Sequence, residues 1–185
     1  MTTAVRIPGY VTGTWSLDPT HTEIGFVARH LMVSKVRGKF EKFTGTIKTA
    51  SNPLDSYAEA EIELSSITTG TEQRDNHLRS SDFFDVETSP KMTFRSTAIR
   101  PDGDDFLVDG ELTIRGITKP IVLKVEIGGF GDDPWGGTRL GLSATAVINR
   151  HDFGVSWNAA IEGGGVVVGD KVTINIEAEA VLDKQ

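Results

Sequence analysis

The chain has no cysteine in its 185 residues, which excludes a disulfide framework, a thiolate nucleophile and a Cys-ligated zinc site. Positive charge is scarce: 19 lysines and arginines against 26 acidic residues leave a net charge of −7. That is the reverse of the overall balance selected by nucleic acid or an anionic membrane. Long apolar runs are missing, since no stretch approaches the roughly 18 residues of a membrane-spanning helix. The opening "MTTAVRIPGYVTGTW" lacks a charged segment followed by an apolar run of signal-peptide length. The expected location is the cytoplasm, and the expected partner is a small molecule or a protein. Glycine is plentiful at 20 residues but follows no triplet period, so collagen-like and low-complexity readings fail. No repeat of fixed length is visible, and residues 1–185 are expected to form one domain with a sizeable core.

What the sequence does contain is a period of two. In "YAEAEIEL", Ala58, Ala60, Ile62 and Leu64 fall on one face and Glu59, Glu61 and Glu63 on the other, as in a strand with one dry side. "KMTFRSTA" repeats the pattern with Met92, Phe94 and Ser96, and "FLVDGELTIRG" with Phe106, Val108, Leu112 and Ile114. "PIVLKVEI", "RLGLSATAVI" and "KVTINIEAEAVL" continue it. With "VTGTWSL", the segment from Asp18 to His30 and "VRGKFEKFTGTIKT", this predicts eight or nine strands separated by turns such as "PDGDD" and "GFGDDPWGG". The fold class is all-β and antiparallel, as a sandwich or a closed barrel. Several inward positions are small, among them Ala58, Ala60, Gly110, Ala144, Ala146, Ala178 and Ala180. Such residues either leave room for a ligand or seat bulky neighbours. One segment, "TTGTEQRDNHLRSSDFF", departs from the period. Its Thr69 and Glu72 have capping-box spacing, which predicts a short helix from about Glu72 to Ser80 covering one barrel end.

The stretch "DPTHTEIGFVARH" gathers an aspartate, a glutamate and two of the chain's four histidines. In a strand, His21 and Glu23 share one face while Ile24, Phe26, Ala28 and His30 share the other, so the two histidines do not clasp one metal. The apolar face points inward and places His30 at the end of an apolar row. There it either meets a ligand head group or is a hydrogen-bonded histidine near a barrel mouth. Asp18 and His21 suit an Asx-type turn. In "NRHDFGVSW", Arg150, Phe153 and Trp157 offer a cation and two aromatics for a pocket rim; the alternative is Arg150 paired with Asp152 or another surface carboxylate. Asp152-Phe153-Gly154 spells a kinase magnesium motif, but the glycine-rich loop, strand lysine and catalytic loop that accompany it are missing. "GGGVVVGDK" lacks the ending of a phosphate-binding P-loop and reads as a hairpin connection. On the predicted helix, Asp75 and Arg79 have the spacing of a solvated pair, and Arg74 is a candidate for binding an anion. No Ser-His-Asp or paired-carboxylate assignment stands out.

Four blocks follow one another in order: "WSLDPTHTEIGFVARHLMVSKVRGKFEKFTGTI", "RDNHLRSSDFFDVETSPKMTFRST", "GELTIRGITKPIVL" and "INRHDFGVSW". Together they resemble the YceI family of polyisoprenoid-binding proteins over nearly the whole chain. The resemblance implies an extended, lipocalin-like antiparallel β-barrel of about eight strands with one or two short helices. It implies a tunnel holding a long isoprenoid or similar amphiphilic lipid, commonly in a homodimer. Carried over by residue, the family's Asp-x-x-His and following His fall on Asp18, His21 and His30, and its G-x-F-x-x-F-x-G on Gly38, Phe40, Phe43 and Gly45. Its DFF and proline block falls on Asp82, Phe83, Phe84, Pro90 and Phe94, and its R-x-D-F-G on Arg150, Asp152, Phe153 and Gly154. Many members carry a secretion signal and reside in the periplasm, whereas no such signal is visible here.

The expected function is non-catalytic binding, storage or transport of a polyisoprenoid, an isoprenoid quinone or a similar amphiphile, with no cofactor or metal. The expected ligand wall is Phe26, Phe40, Phe43, Ala60, Ile62, Leu64, Phe94, Leu112, Ile114 and Ala144, with His30, Arg150, Phe153 and Trp157 towards the mouth. Arg150, His30 or Arg74 would receive a diphosphate or a quinone oxygen. Two alternatives stay open. One is an enzyme acting on a lipid or small ester with His30 or His21 as base; the other is a β-rich interaction module with a filled core.

Overall fold

A computed structural model of the chain describes residues 6–31, 33–158 and 168–184. The alternating segments form β1 (Gly13–Leu17), β2 (Glu23–His30), β3 (Ser34–Phe40), β4 (Phe43–Thr49), β5 (Tyr57–Glu63) and β6 (Ile67–Thr68). One short helix, α1 (Glu72–Arg79), precedes β7 (Lys91–Asp102), β8 (Asp105–Ile114), β9 (Ile117–Asp132), β10 (Thr138–Asn149) and β11 (Val168–Leu182). No helix among the described residues is long and apolar enough to cross a membrane.

Eight strands close into an antiparallel barrel in the order β1-β4-β5-β7-β8-β9-β10-β11, with β11 pairing back to β1 through Trp15 opposite Leu182 and Leu17 opposite Ala180. The first half of β11 extends past this closure and pairs with β2, from Ile176 opposite Ile24 to Val168 opposite His30. β3 pairs with β2, and β6 with β3, so these three short strands form a flap that prolongs the barrel beyond β1. β8 shows the expected alternation in its cleanest form: Phe106, Val108, Gly110, Leu112 and Ile114 are all buried and the residues between them are not.

The period of two fails at three informative places. "VRGKFEKFTGTIKT" is two strands, because Phe40 and Phe43, three residues apart, are both buried. A straight strand cannot send both inward. The chain kinks at Glu41 and Lys42, whose N–H groups donate to the carbonyl and hydroxyl oxygens of Ser66 at 3.2 and 3.0 Å. In β7 a bulge after Ser96 shifts the register by one, so that Ile99 packs against the core in place of Ala98. In β11 the register against β2 shifts between Val168 and Val172. The hairpin expected at "GGGVVVGDK" lies partly outside the described residues, and from Val168 onward it is strand.

Two glycines of the inner surface are required by neighbours rather than by turns. A Cβ on Gly38 would collide with the Phe26 ring, and one on Gly110 with the Phe94 ring and the Arg95 carbonyl. Each lets an aromatic ring lie flat across the next strand.

Helix α1 matches its predicted span, but its start is built differently. Thr71 occupies the N-cap position without a side-chain bond. The Asp75 carboxylate accepts from the Thr69 N–H at 2.8 Å and the Thr69 hydroxyl at 2.6 Å. Asp75 is therefore buried rather than paired with Arg79, which donates instead to the Ser65 and Ile67 carbonyls, both at 2.9 Å. Arg74 donates to the Thr69 hydroxyl and carbonyl. Helix and preceding turn are thereby fastened, and Leu78, the helix's one aliphatic residue, packs against the apolar core.

Candidate functional site: an apolar interior in two lobes

The inward rows do not meet at the centre. They leave two adjoining apolar spaces of about 180 and 170 Å³. The upper lobe, on the β1 side, is lined by Ala58, Phe106, Val108, Val125, Leu142, Ala144 and Ala178 among others, and is closed above by Ile7, Tyr10 and Pro53. The lower lobe, inside the flap, is lined by Phe26, Ala28, Phe40, Ile62, Met92, Leu112, Ile114 and Ile174. Leu78, Phe83, Phe84, Phe153 and Val155 enter it from helix and turns. Ile24, Ala60, Phe94, Leu123 and Ile176 line both lobes and form a waist between them.

The small residues divide as the two readings of the sequence allowed. Ala58, Ala60, Ala144 and Ala178 leave room, whereas Gly110 seats Phe94 and Ala180 packs with Trp15 and Leu140.

Polar groups are confined to particular places. Around the upper lobe, the Tyr10 hydroxyl donates to the Ala50 carbonyl at 2.5 Å and lies 3.3 Å from the Ser56 hydroxyl. The Tyr57 hydroxyl donates to Glu59 at 2.8 Å; burial first, and then this bond, raises its pKa. Among the described residues the lower lobe has a single charged wall residue, Arg150, itself only 4% exposed. Arg150 opens a four-residue 3₁₀ turn that Asn149 caps and Gly154 ends in the left-handed region at φ 73°. Its guanidinium meets no carboxylate among the described residues. It donates to the carbonyls of Val155 (2.7 Å), Gly169 (2.8 Å), Trp157 (2.9 Å) and Val168 (3.2 Å). Val168 and Gly169 sit at the irregularity of β11, where carbonyls lose their ladder partners. Arg150 supplies the missing donors. Burial lowers its pKa from the ordinary arginine value, though an arginine stays charged at any ordinary pH.

The expected wall residues therefore separate. Phe26, Phe40, Ala60, Ile62, Phe94, Leu112, Ile114, Ala144, Arg150 and Phe153 face the lobes. Phe43 and Leu64 do not: both are buried in the packed core, Leu64 in a 3₁₀ turn after β5 has ended. Trp157 stacks outside the wall, its ring edge-on to His77 at 4.7 Å and tilted to Phe83 at 5.4 Å. His30 is half-buried at the end of β2 and lines neither lobe, although its strand partner Val168 borders the lower one. Arg74 is held by Thr69 and faces neither lobe. Of the lining residues that the expected wall left out, Leu123, Val125, Ile174 and Ile176 come from alternating strands, whereas Leu78, Phe84 and Val155 come from segments without period two.

Asp18 and His21 belong to a corner outside the barrel. Asp18 accepts from the Thr20 N–H at 3.0 Å, the expected Asx turn, from His21 Nδ1 at 2.9 Å and from Arg139 at 2.8 Å. Arg139 also meets Asp133 and Glu179, tying β9 and β10 to the turn before β2. These contacts, the Arg139 bond first, hold the Asp18 carboxyl well below the usual carboxylate range.

One hydrogen-bonded trio escaped sequence reasoning: His151 lies 3.1 Å from the Ser156 hydroxyl and 2.8 Å from Asp170. Its carboxylate is 63% exposed, and Ser156 points to solvent while its neighbour Val155 faces the lobe. A nucleophile so placed does not address the interior. Among the described residues no three His, Asp or Glu side chains group to hold a metal ion.

A closed antiparallel barrel with an unfilled apolar interior defines a lipocalin-like container. Residues 15–180 match the family model described as a YceI-like domain. The chain belongs to the YceI family. It is 40% identical to a UPF0312 protein of Staphylococcus epidermidis over 91% of this chain and 98% of that one. It is likewise 40% identical to the protein YceI of Escherichia coli over 73% of this chain and 71% of that one. Among solved structures, BcnA of Burkholderia cenocepacia superimposes with a TM-score of 0.76 at 25% identity, covering 88% of this chain and 98% of its own. A Saccharophagus degradans domain, described as polyisoprenoid-binding and implicated in plant cell wall breakdown, shares the fold. Its TM-score is 0.69 at 18% identity, covering 91% of this chain and 98% of its own.

Proposed function

We propose that the protein binds a long-chain amphiphilic lipid of the polyisoprenoid class in its barrel, and stores or carries it without chemical change. The carrying observation is the wall. Aliphatic and aromatic side chains line both lobes, and the single cation in the lower one already serves four main-chain carbonyls. Each lobe exceeds the roughly 150 Å³ of an aliphatic void that stays dry and admits benzene. Water would find few partners there, whereas an apolar chain sacrifices no hydrogen bonds on entering. Hiding about 500 Å² of lipid tail contributes on the order of 12 kcal/mol before the cost of ordering the chain. That a domain of this fold is described as polyisoprenoid-binding supports the same reading.

The waist makes length a selectable property, since a chain reaching both lobes must pass Phe94 and Ala60. An anionic head group has no disengaged cation on the wall. A neutral head, such as a quinone oxygen, suits the hydroxyls of Tyr10 and Ser56, which keep acceptor and donor capacity. The test is native mass spectrometry of the purified protein, then organic extraction and lipid identification. A stoichiometric isoprenoid supports the proposal; an empty protein that refuses added prenyl lipids and an apolar fluorophore overturns it.

A further inference from the structure

The flap has two unlike faces. Phe26 and Ala28 of β2 point into the lower lobe, so the alternate residues face outward. On that outer face, Arg29 pairs with Lys35, Val27 lies opposite Arg37, and Gly25 lies opposite Lys39. Lys171 of β11 joins them beside Arg29 and Lys35. All five cations are exposed, and none forms an ion pair with a carboxylate among the described residues. The acids of the surface stand elsewhere. Asp170, the one carboxylate bordering the patch among the described residues, bonds His151, and Glu23 faces Glu177 at the opposite end of the same strands. A protein with a net charge of −7 thus places five exposed cations without a salt-bridge partner among the described residues together at one end of one flap. Beyond the cations, the turn between β2 and β3 exposes aliphatic side chains: Val33 is 84% exposed and Leu31 38%.

We infer that the outer face and tip of this flap dock on an anionic lipid bilayer. Cations flanking an exposed aliphatic tip match the two layers of such a surface, charged head groups above and acyl chains below. Nucleic acid or an acidic protein would use the charge but leave Val33 and Leu31 without a complementary phase. The two faces also give the placement a purpose. The inner side of the docked flap is a wall of the lower lobe, so docking sets the interior against the membrane while the barrel stays in water. The overall negative charge hides this patch from any composition-based reading and repels the rest of the molecule from the bilayer, which orients it. The inference goes beyond the cargo reading and does not depend on which lipid the barrel holds.

The experiment is flotation of the intact protein with vesicles of phosphatidylcholine containing phosphatidylglycerol, against pure phosphatidylcholine, at low and high salt. The wild type is expected to float only with the anionic vesicles and to release as salt rises. Lys35→Glu/Arg37→Glu should weaken binding at least about tenfold, since each cation near an anionic surface contributes roughly fivefold. Val33→Asp should weaken it several-fold while keeping the salt dependence. Circular dichroism verifies that these exposed changes leave the barrel folded, and Lys171→Glu offers an independent charge reversal outside the hairpin. Three results overturn the inference: no flotation of the wild type, equal flotation of the double reversal, or binding to heparin as tight as to vesicles. The last identifies a general polyanion surface, and the first leaves an edge strand whose lysines merely block pairing. Uptake of an apolar fluorophore without vesicles, measured in the same proteins, separates a docking failure from a cargo failure.

Discussion

The two lobes share one kind of wall but are closed by different means. Around the upper lobe nearly everything comes from strands, and the neighbouring corner is fastened at the surface by Arg139 among Asp18, Asp133 and Glu179. The lower lobe takes part of its closure from α1, the Phe83-Phe84 turn and the Arg150 turn, and its main fastening is internal, through the buried Arg150 guanidinium and four carbonyls, with Arg115 tying the Phe83 and Gly154 carbonyls together from outside the lobe. A surface network shares its charges with water, so removing one member leaves the others solvated. A buried hub has less relief, because the Val155, Gly169 and Trp157 carbonyls lose its donors in an apolar setting, and among the described residues only the Val168 carbonyl keeps a second side-chain donor, the Asn158 amide. The lower lobe should therefore be the more brittle of the two.

Replacing Arg150 tests this most severely. Arg150→Met keeps the aliphatic stem and removes all donors. The expected loss is about 3–5 kcal/mol of unfolding free energy in urea, as for other broken buried networks. Arg139→Gln should move the urea midpoint much less. Equal effects of the two variants would remove the distinction between internal and surface fastening.

The next test fills one lobe at a time. Ala144→Phe intrudes only on the upper lobe and Ala28→Phe only on the lower, while Ala60→Trp blocks the waist. A chain spanning both lobes should lose at least about tenfold in affinity in all three, at an overpacking cost of about 1–3 kcal/mol each. A short apolar fluorophore should lose its site in only one of the two single-lobe variants. Titration of a prenyl chain and a short probe into the folded variants checks this, and unchanged prenyl binding throughout would remove the waist as a passage.

A smaller effect concerns acid. The folded Asp18 carboxyl titrates below its ordinary value of 3.8 because Arg139, then His21 and Thr20, favour the ionised form. Its contribution is complete above that value and fades as pH falls below it towards the folded pKa. Between about pH 6 and about pH 2.5, wild type should lose more stability than Asp18→Asn, in which this linkage is absent. Parallel urea curves at the two pH values measure the difference. The upper corner should loosen first in acid, since Arg150 owes nothing to a titrating partner in hydrogen-bond contact.

The same contrast explains what could be read from the sequence. The barrel and the upper lobe were legible because alternation in "YAEAEIEL" or "FLVDGELTIRG" assigns a face to each residue without knowledge of the neighbours. The lower lobe was legible mainly where strands supply it, at Phe26, Ile62, Leu112 and Ile114, and beyond them only at Arg150 and Phe153 of the R-x-D-F-G turn. Leu78, Phe84 and Val155 arrive through turns, whose direction depends on bonds such as Asp75 to Thr69 and Arg150 to Val155. Nothing in local spacing distinguishes an arginine that serves carbonyls from one that awaits an anion. Phe43 and Leu64 were misplaced for a related reason: both stand at the end of a strand segment, where inward means into packed core.

His30 is the sharpest case and carries the smallest expected effect. By parity it continues the row of Ile24, Phe26 and Ala28, and parity alone puts it in the lower lobe. The row of lining residues ends at Ala28, and the register of β11 against β2 shifts between Val172, opposite Ala28, and Val168, opposite His30. The lobe is bounded there by Val168, Val172 and the Arg150 stem. His30→Gln should accordingly change prenyl-chain affinity by less than about twofold, within the range of surface substitutions. A larger loss would mean that β2 and β11 regain their register around a bound chain, bringing the imidazole onto the wall. Measuring the prenyl titration on His30→Gln beside Ala28→Phe, two residues earlier on the same face, locates where the ligand-bearing part of the strand stops.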